Sequence, residues 1–205
     1  MRLRITFAKQ GALRYTGHLD LHHIWERTAR RAGLPLSYSK GFHPQPKLNM
    51  AAALPLGFSS RCELLDMRIE QELPLEWLRE RIQAAVPDGL QILEVQSVEE
   101  ALPPLQTLLE SAEYEVQLKD PLPAESLAER VRGLLDSASL PHARRGKDFD
   151  MRPLIEALEP RAGEALHMRL AARPSATGRP EEVLEVLGIP ADSTRIERSR
   201  LIFRD

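Results

Sequence analysis

The side chains in this sequence best suited to chemistry lie in one proline-rich segment, residues 37–48, which we call the proline loop. Its two prolines fix their own φ angles and restrict the residues before them, which predicts extended backbone. Side chains alternate in direction along an extended run, so His43, Gln45 and Lys47 are expected to share one face. Such a face would be a pre-ordered set of polar groups that loses little entropy when a ligand binds.

This composition favours binding of an anionic ligand. Lysine and histidine supply positive charge, Gln45 supplies an amide for a base edge or another amide, and Phe42 supplies a ring for stacking. Two arginines on the preceding helix extend the surface. The alternative is a rigid connection whose prolines only block edge pairing of a sheet. The predicted binding residues of this region are Arg27, Arg31, Lys40, Phe42, His43, Gln45 and Lys47.

A second candidate site lies in residues 144–153, where cations flank a glycine and acidic residues follow. The cations form a compact tip that suits a phosphate or carboxylate. The alternative is a solvated loop followed by a row of exposed Asp–Arg pairs, which contribute little. The predicted binding residues here are Arg144, Arg145, Lys147, Asp150 and Arg152.

Catalytic and metal chemistry find less support in the sequence. His43 is the candidate general acid or base, because imidazole titrates near neutral pH. His18 and His22 have the four-residue spacing of helical metal ligands, but zinc requires about four ligands and no nearby Cys/His pair completes a set. Cys62 is the single cysteine, which cannot hold an iron–sulfur cluster. We therefore predict no metal and no cofactor.

Charge is distributed unevenly along the chain. The 205 residues carry a net charge of −2, yet residues 1–50 contain nine Lys and Arg against two Asp and Glu. Residues 51–130 contain six against sixteen, and residues 131–205 contain thirteen against twelve. A basic end on an acidic body indicates a surface for a polyanion, although chance segregation of solvated charges is the alternative.

Hydrophobic periodicity predicts the elements that position these residues. The fold class expected is α+β, with two tandem ferredoxin-like (βαββαβ) units. In the first unit the predicted strands are 2–8, 47–54, 63–71 and 90–98, and the helices are 18–32 and 74–86. In the second unit the predicted strands lie near 114–118, 145–152, 166–170 and 194–203, with helices near 127–135 and 183–187.

The predicted domains are residues 1–98, which carry the proline loop, and residues 112–205, joined by a link over 99–111. No window approaches the roughly 18 apolar residues of a membrane span. The beginning of the sequence alternates like a strand and lacks the apolar stretch of a signal peptide. We therefore expect a cytoplasmic protein that makes no membrane contact.

Several motifs resemble one bacterial family. They include residues 17–20, Arg27 with residues 29–36, residues 40–47, residues 54–57 and residues 146–153. Together they are similar to an uncharacterised radical-SAM-associated family, a domain of unknown function, and the resemblance spans nearly the whole chain. Two positions depart from the family pattern: Gln45 stands where a second histidine is usual, and Gly17 where serine is usual. The first departure argues against a metal site or a two-histidine acid–base pair in the proline loop.

The resemblance implies a partner and a setting. Members of this family are found beside, or fused to, a radical-SAM protein with a cobalamin-type domain, and often near genes for ribosomal proteins and an RNA-processing endonuclease. It therefore implies an accessory protein of a modification system, with a radical-SAM protein as partner and RNA as a further candidate. Radical-SAM chemistry would belong to the partner, because one cysteine cannot ligate the cluster.

Three functions remain in competition at this point. The one we favour is a non-catalytic module that recognises RNA or docks the partner enzyme through the basic first helix and the proline loop. The second is an RNA-cleaving or RNA-modifying enzyme that uses His43 on a tandem ferredoxin-like frame. The third is a protein–protein adaptor that uses the acidic middle of the chain.

Overall fold

The computed structural model describes residues 1–162 and 164–204. It confirms the α+β class and divides into two compact units, Met1–Leu108 and Leu109–Asp205. The elements of the first unit are β1 (Arg2–Lys9), α1 (His18–Arg31), β2 (Leu48–Met50), β3 (Ser59–Arg68), α2 (Leu75–Ala85), β4 (Leu90–Val98) and α3 (Leu105–Leu108).

The strands of the first unit are antiparallel and lie in the order β2-β3-β1-β4. In the centre of this sheet Ile5 of β1 pairs with Leu65 of β3 and with Val95 of β4. Alternate side chains of β1 and β3 are fully buried, as the period-two pattern predicts.

Helices α1 and α2 contribute to the same core. Trp25 of α1 is completely buried, and its ring meets the ring of Phe7 edge to face at a centroid distance of 4.8 Å. Leu78 and Ile82 of α2 belong to this core as well. The buried residues of α1 form one stripe at helical spacing, and the arginines of the helix lie off that stripe.

The second unit contains β5 (Leu109–Leu118), α4 (Ala124–Asp136), β6 (Pro141–Arg144), β7 (Lys147–Asp150), β8 (Ile155–Arg161), β9 (Ala165–Arg173), β10 (Ala176–Thr177), α5 (Pro180–Val186) and β11 (Thr194–Phe203). Four of its strands are antiparallel in the order β8-β9-β5-β11. The short strand β10 also pairs with β9, and β6 and β7 form a separate two-stranded hairpin.

Three predicted segments differ from the structure. Strand β2 is shorter than the predicted 47–54, because the chain bends at Ala51 and Ala52. The single strand predicted over 145–152 is wrong: the chain turns at Arg145 and Gly146, whose φ angles are 52° and 74°, as a two-residue hairpin turn requires. The strand expected at that place in the unit is β8 instead, and the predicted link over 99–111 contains α3 and the start of β5.

None of the helices in the described part of the chain is long and apolar enough to cross a bilayer.

Candidate functional site

The proline loop is a closed turn whose two ends are tied together. The Ser39 amide donates to the Gln45 carbonyl at 2.8 Å, and the Gln45 amide donates to Ser39 Oγ at 2.9 Å. The Lys47 amide donates to the Ser37 carbonyl at 2.9 Å. At the tip Gly41 has a φ of 132°, a value that side chains rarely tolerate. The chain therefore reverses here, and the fully extended run predicted from the prolines is wrong.

The reversal changes which side chains face outward. The predicted alternation survives only at the end of the loop, where Pro46 and Leu48 are buried and Lys47 between them is exposed. At the tip every residue from 40 to 45 is exposed. The Phe42 side chain is fully exposed, at 102% of its reference area. Because this large apolar ring is exposed to solvent, its surface is available for contact with a ligand.

Helix α1 presents a basic face beside its buried stripe. Arg27, Arg30 and Arg31 are exposed. Arg30 donates to Glu26 Oε1 at 2.6 Å. A hydrogen bond to the Tyr38 side chain, with a smaller contribution from Glu26, raises the pKa of Arg30 above its ordinary value. Arg30 thus connects α1 to the proline loop.

Arg27 and Arg31 differ from Arg30, because neither makes an ion pair or hydrogen bond to any residue that the structure describes. Both line a groove of about 490 Å³, together with Arg30. We call it the basic groove, and its apolar walls are Leu13, Ile24 and Pro87.

Among the histidines of α1, His22 has a structural contact. His22 Nε2 lies 3.3 Å from the Leu48 carbonyl, where β2 begins. No group of three or more His, Cys, Asp or Glu side chains that could hold a metal occurs within residues 1–162 and 164–204. Partial burial, and secondly the neighbouring His22, lower the pKa of His18, while Glu63 opposes them.

The lowered pKa of His18 predicts a pH dependence of stability. The unfolded chain binds a proton at His18 near the ordinary value of 6.5, while the folded chain resists it. We therefore expect the free energy of unfolding to fall as the pH decreases from about 7 to about 5, and His18→Gln to reduce that fall. Urea titrations at several pH values measure it. His43→Gln, which removes an imidazole of the proline loop, is the control, and an equal effect of both substitutions would contradict the prediction.

In the second unit the structure gives three of the five predicted binding residues internal partners. The Arg144 guanidinium forms an ion pair with Glu182 and donates to the Thr177 carbonyl at 2.9 Å. It also stacks on the ring of Phe149, with 4.8 Å between the guanidinium carbon and the ring centroid. Arg144 therefore fixes the β6–β7 hairpin against its own unit.

Asp150 and Arg152 also bond within the unit. Asp150 Oδ1 accepts the amides of Leu140 at 2.8 Å and of Arg152 at 2.9 Å. These two amides are the main causes that lower the pKa of Asp150. The Arg152 guanidinium donates to the carbonyls of Leu135 at 3.1 Å and Ile155 at 3.1 Å. Only Arg145 and Lys147, exposed at the turn, are left with side chains directed to solvent.

The predicted residues thus fall into two separate groups. The structure brings together the proline loop and α1 in the first unit, while the hairpin group belongs to the second. Sequence reasoning did not assign a binding role to Arg30 or identify Tyr38 as its partner, and it missed the apolar walls of the basic groove. The arginine spacing on α1 indicated a shared face, but nothing local indicated that Leu13 and Pro87 lie beside it.

A family model described as "Uncharacterized protein conserved in bacteria (DUF2344)" matches residues 2–180. Among curated proteins none matches the sequence. One similar solved structure is titled "Crystal Structure of a Cbf5-Nop10-Gar1 Complex", with 10% identity and a TM-score of 0.46. That alignment covers 97% of this chain and 48% of the other, so the chain spans about half the length of its match.

Two further structures align over nearly their full lengths with lower TM-scores. An unknown protein from Galdieria sulphuraria has 13% identity and a TM-score of 0.31, with 100% and 98% of the two chains covered. A putative glycine cleavage system transcriptional repressor has 12% identity and a TM-score of 0.25, with 99% and 98% covered. Similarity at this level says nothing about activity.

Proposed function

The chain belongs to the family described as uncharacterized proteins conserved in bacteria (DUF2344), and for this member we propose a non-catalytic accessory role in which the proline loop and α1 bind single-stranded RNA. The observation that carries the proposal is the tip of the proline loop. It holds a fully exposed phenylalanine between Lys40 and Lys47, which are also exposed. Binding of single strands combines such base stacking with cations that follow the backbone.

The electrostatics of the first unit support this proposal. The proline loop contains no acidic residue, and the two partnerless arginines of α1 continue the positive surface. Because an RNA strand is a regular array of negative charges, cations along one path attract it at long range. Tyr38 of the proline loop interacts with Arg30 of α1, so a single strand can contact both the loop and the helix.

We also propose that each unit is ferredoxin-like and that the RNA belongs to a radical-SAM modification system. The strand orders β2-β3-β1-β4 and β8-β9-β5-β11 support the first part. In each order the first and third strands of the four lie in the centre and the second and fourth lie at the edges, as in the split βαβ plan. The motifs at residues 17–20 and 40–47 support the second part through the family resemblance. The modification itself would then be performed by the partner, with this chain presenting the substrate.

The position of His43 favours binding over catalysis. It is exposed at the loop tip and has no hydrogen-bond partner among the residues that the structure describes. A catalytic histidine is commonly oriented by a second group, which fixes its tautomer. An enzyme that uses His43 is therefore the less supported alternative.

Fluorescence anisotropy with short labelled RNA tests the proposed function. We expect salt-dependent binding to single-stranded RNA of mixed sequence that is stronger than binding to duplex RNA. No binding, or binding that does not weaken as salt is added, would refute RNA recognition. Saturable binding of a purified radical-SAM protein without any RNA binding would favour the adaptor function instead.

Replacing Phe42 with alanine is expected to weaken RNA binding without affecting the fold. Loss of one base–aromatic stack costs about 1–3 kcal/mol, which lowers the affinity roughly 5- to 150-fold. Because the ring is fully exposed, the free energy of unfolding should change by less than about 0.5 kcal/mol. Anisotropy and urea unfolding measure the two quantities.

Two controls isolate the stacking interaction. Leu56→Ala removes another exposed apolar side chain of the first unit and should leave RNA affinity unchanged. Phe42→Tyr keeps the ring and should retain most of the affinity. If Phe42→Leu binds RNA as tightly as the original protein, the ring does not stack on a base and this part of the proposal is wrong.

A further inference from the structure

The basic groove has the size and chemistry of a small-molecule site. Its volume of about 490 Å³ lies within the roughly 300–1,000 Å³ of known ligand pockets. Leu13, Ile24 and Pro87 provide apolar walls, and three guanidinium groups line the rest. An occupant that fits both parts has a flat or apolar body and a compact anionic group.

The arginines indicate which anion fits. Arg27 and Arg31 are four residues apart on α1, so their side chains emerge on the same face about 6 Å apart. Neither has a partner among the described residues, so both forks of donors are available. A guanidinium fork matches the oxygens of a phosphate in a bidentate way. A phosphomonoester carries close to two negative charges at neutral pH, which corresponds to these two free cations.

Arg30 has a different role in the groove. Its guanidinium is held by Glu26 at 2.6 Å and interacts with Tyr38. It therefore forms a fixed side of the groove rather than an open anion site. Since Tyr38 lies near the start of the proline loop, Arg30 also places the groove at one end of the surface that carries Lys40 and Phe42.

We propose that the basic groove binds the phosphorylated terminal nucleotide of an RNA strand, an inference that rests on the proposed function. The base packs against Leu13, Ile24 and Pro87, and the terminal phosphate lies between Arg27 and Arg31. The rest of the strand continues over Arg30 to the proline loop. The chain thereby distinguishes an RNA end that carries a phosphomonoester from one that carries a hydroxyl.

The test compares one short RNA sequence with three kinds of ends: a 5′-phosphate, a 3′-phosphate, and hydroxyls at both ends. We expect one phosphorylated RNA to bind at least about tenfold more tightly than the hydroxyl form, because charge-assisted hydrogen bonds are strong. Which end is preferred identifies the direction of the strand. Equal binding of all three overturns the inference, while salt-dependent binding of all three leaves the proposed function intact.

Variants locate the preference in the groove. In Arg27→Glu/Arg31→Glu the ratio between phosphorylated and hydroxyl RNA should fall to about one. Arg27→Lys/Arg31→Lys preserves charge and helix propensity but loses the forks, so the ratio should fall only in part. Arg79→Glu alters the charge of an exposed α2 arginine outside the groove and should leave the ratio unchanged.

Two further results decide the assignment. In Lys40→Ala/Lys47→Ala all three RNAs should bind more weakly by a similar factor, so that the ratio persists. A ratio that survives in the Arg27→Glu/Arg31→Glu variant, or that disappears equally in Arg79→Glu, would overturn the inference. Displacement of the phosphorylated RNA by a fatty acid but not by a nucleoside monophosphate would also overturn it, because the groove would then hold a lipid.

Discussion

Replacing Lys40 and Lys47 together with alanine is expected to lower the affinity for single-stranded RNA by roughly ten- to thirtyfold near 0.1 M salt. Each lysine that contacts a phosphate releases a counterion and contributes about −0.7 to the slope of log K against log salt concentration. The double variant should therefore reduce the magnitude of that slope by about 1.4. Anisotropy titrations over a salt series measure the affinity and the slope together.

The control must remove the same charge from another exposed surface. Arg79→Ala/Arg132→Ala removes two exposed arginines outside the proline loop and the basic groove. It should have a much smaller effect on the slope, because nonspecific attraction alone changes. If the lysine variant and this control give the same slope as the original protein, RNA does not contact the loop lysines. Both lysines are exposed, so the stability of the fold should stay within about 0.5 kcal/mol.

Replacing Asp66 with alanine is expected to give the largest loss of stability, about 3–5 kcal/mol. The carboxylate is 3% exposed and accepts from Arg2 Nη2 at 2.6 Å and from Arg4 Nε at 2.8 Å. Arg4 lies directly opposite Asp66 where β1 pairs with β3. Without the carboxylate two arginines would keep their charges in a largely buried site. A buried charge that has lost its partner strongly destabilises the folded state.

Urea unfolding measures this loss, and Asp88→Ala is the matched control. Asp88 is exposed and makes no hydrogen bond or ion pair with any residue described, so its removal should change the free energy by less than about 0.5 kcal/mol. A loss below about 1 kcal/mol for Asp66→Ala would mean that the ion pairs of Asp66 with Arg2 and Arg4 contribute as little as solvated surface pairs do. The RNA affinity of the folded Asp66→Ala variant should match that of the original protein, because Arg2, Arg4 and Asp66 all lie outside the proposed site.

The regular elements were predictable because their periodicity is strong. The bounds predicted for β4 and β11 agree with the structure, although apolar and polar residues do not alternate along the whole of either strand. Helix α1 was predicted to within one residue, because its buried stripe is bounded by Gly17 and Gly33. The order of strands in the second unit was harder to predict, because the β6–β7 hairpin inserts an extra pair before β8. A short alternating run has the same appearance in a hairpin and in a main sheet.

The candidate site was predictable as a set of residues but not as a shape. Proline and lysine types identified the loop, yet its reversal depends on Ser39 and Gln45 bonding across the turn. Those bonds join residues six apart, and no periodic pattern reports them. Similarly, the sequence suggests that the charges of Asp150 and Arg152 face solvent, but in the structure both side chains form hydrogen bonds with backbone groups. Whether a charged side chain is free for a ligand is decided by tertiary contacts.

The tied ends of the proline loop have a consequence for how this surface can change. Main-chain bonds close the loop between Ser37 and Lys47 and between Ser39 and Gln45, so the fold depends little on the side chains between them. The tip residues are all exposed, and among them Gly41 alone has a φ, 132°, that a side chain would rarely tolerate. The tip can therefore accept new side chains while the closure stays the same. This separation makes the loop a natural graft position, where specificity can be exchanged between related chains without rebuilding the scaffold.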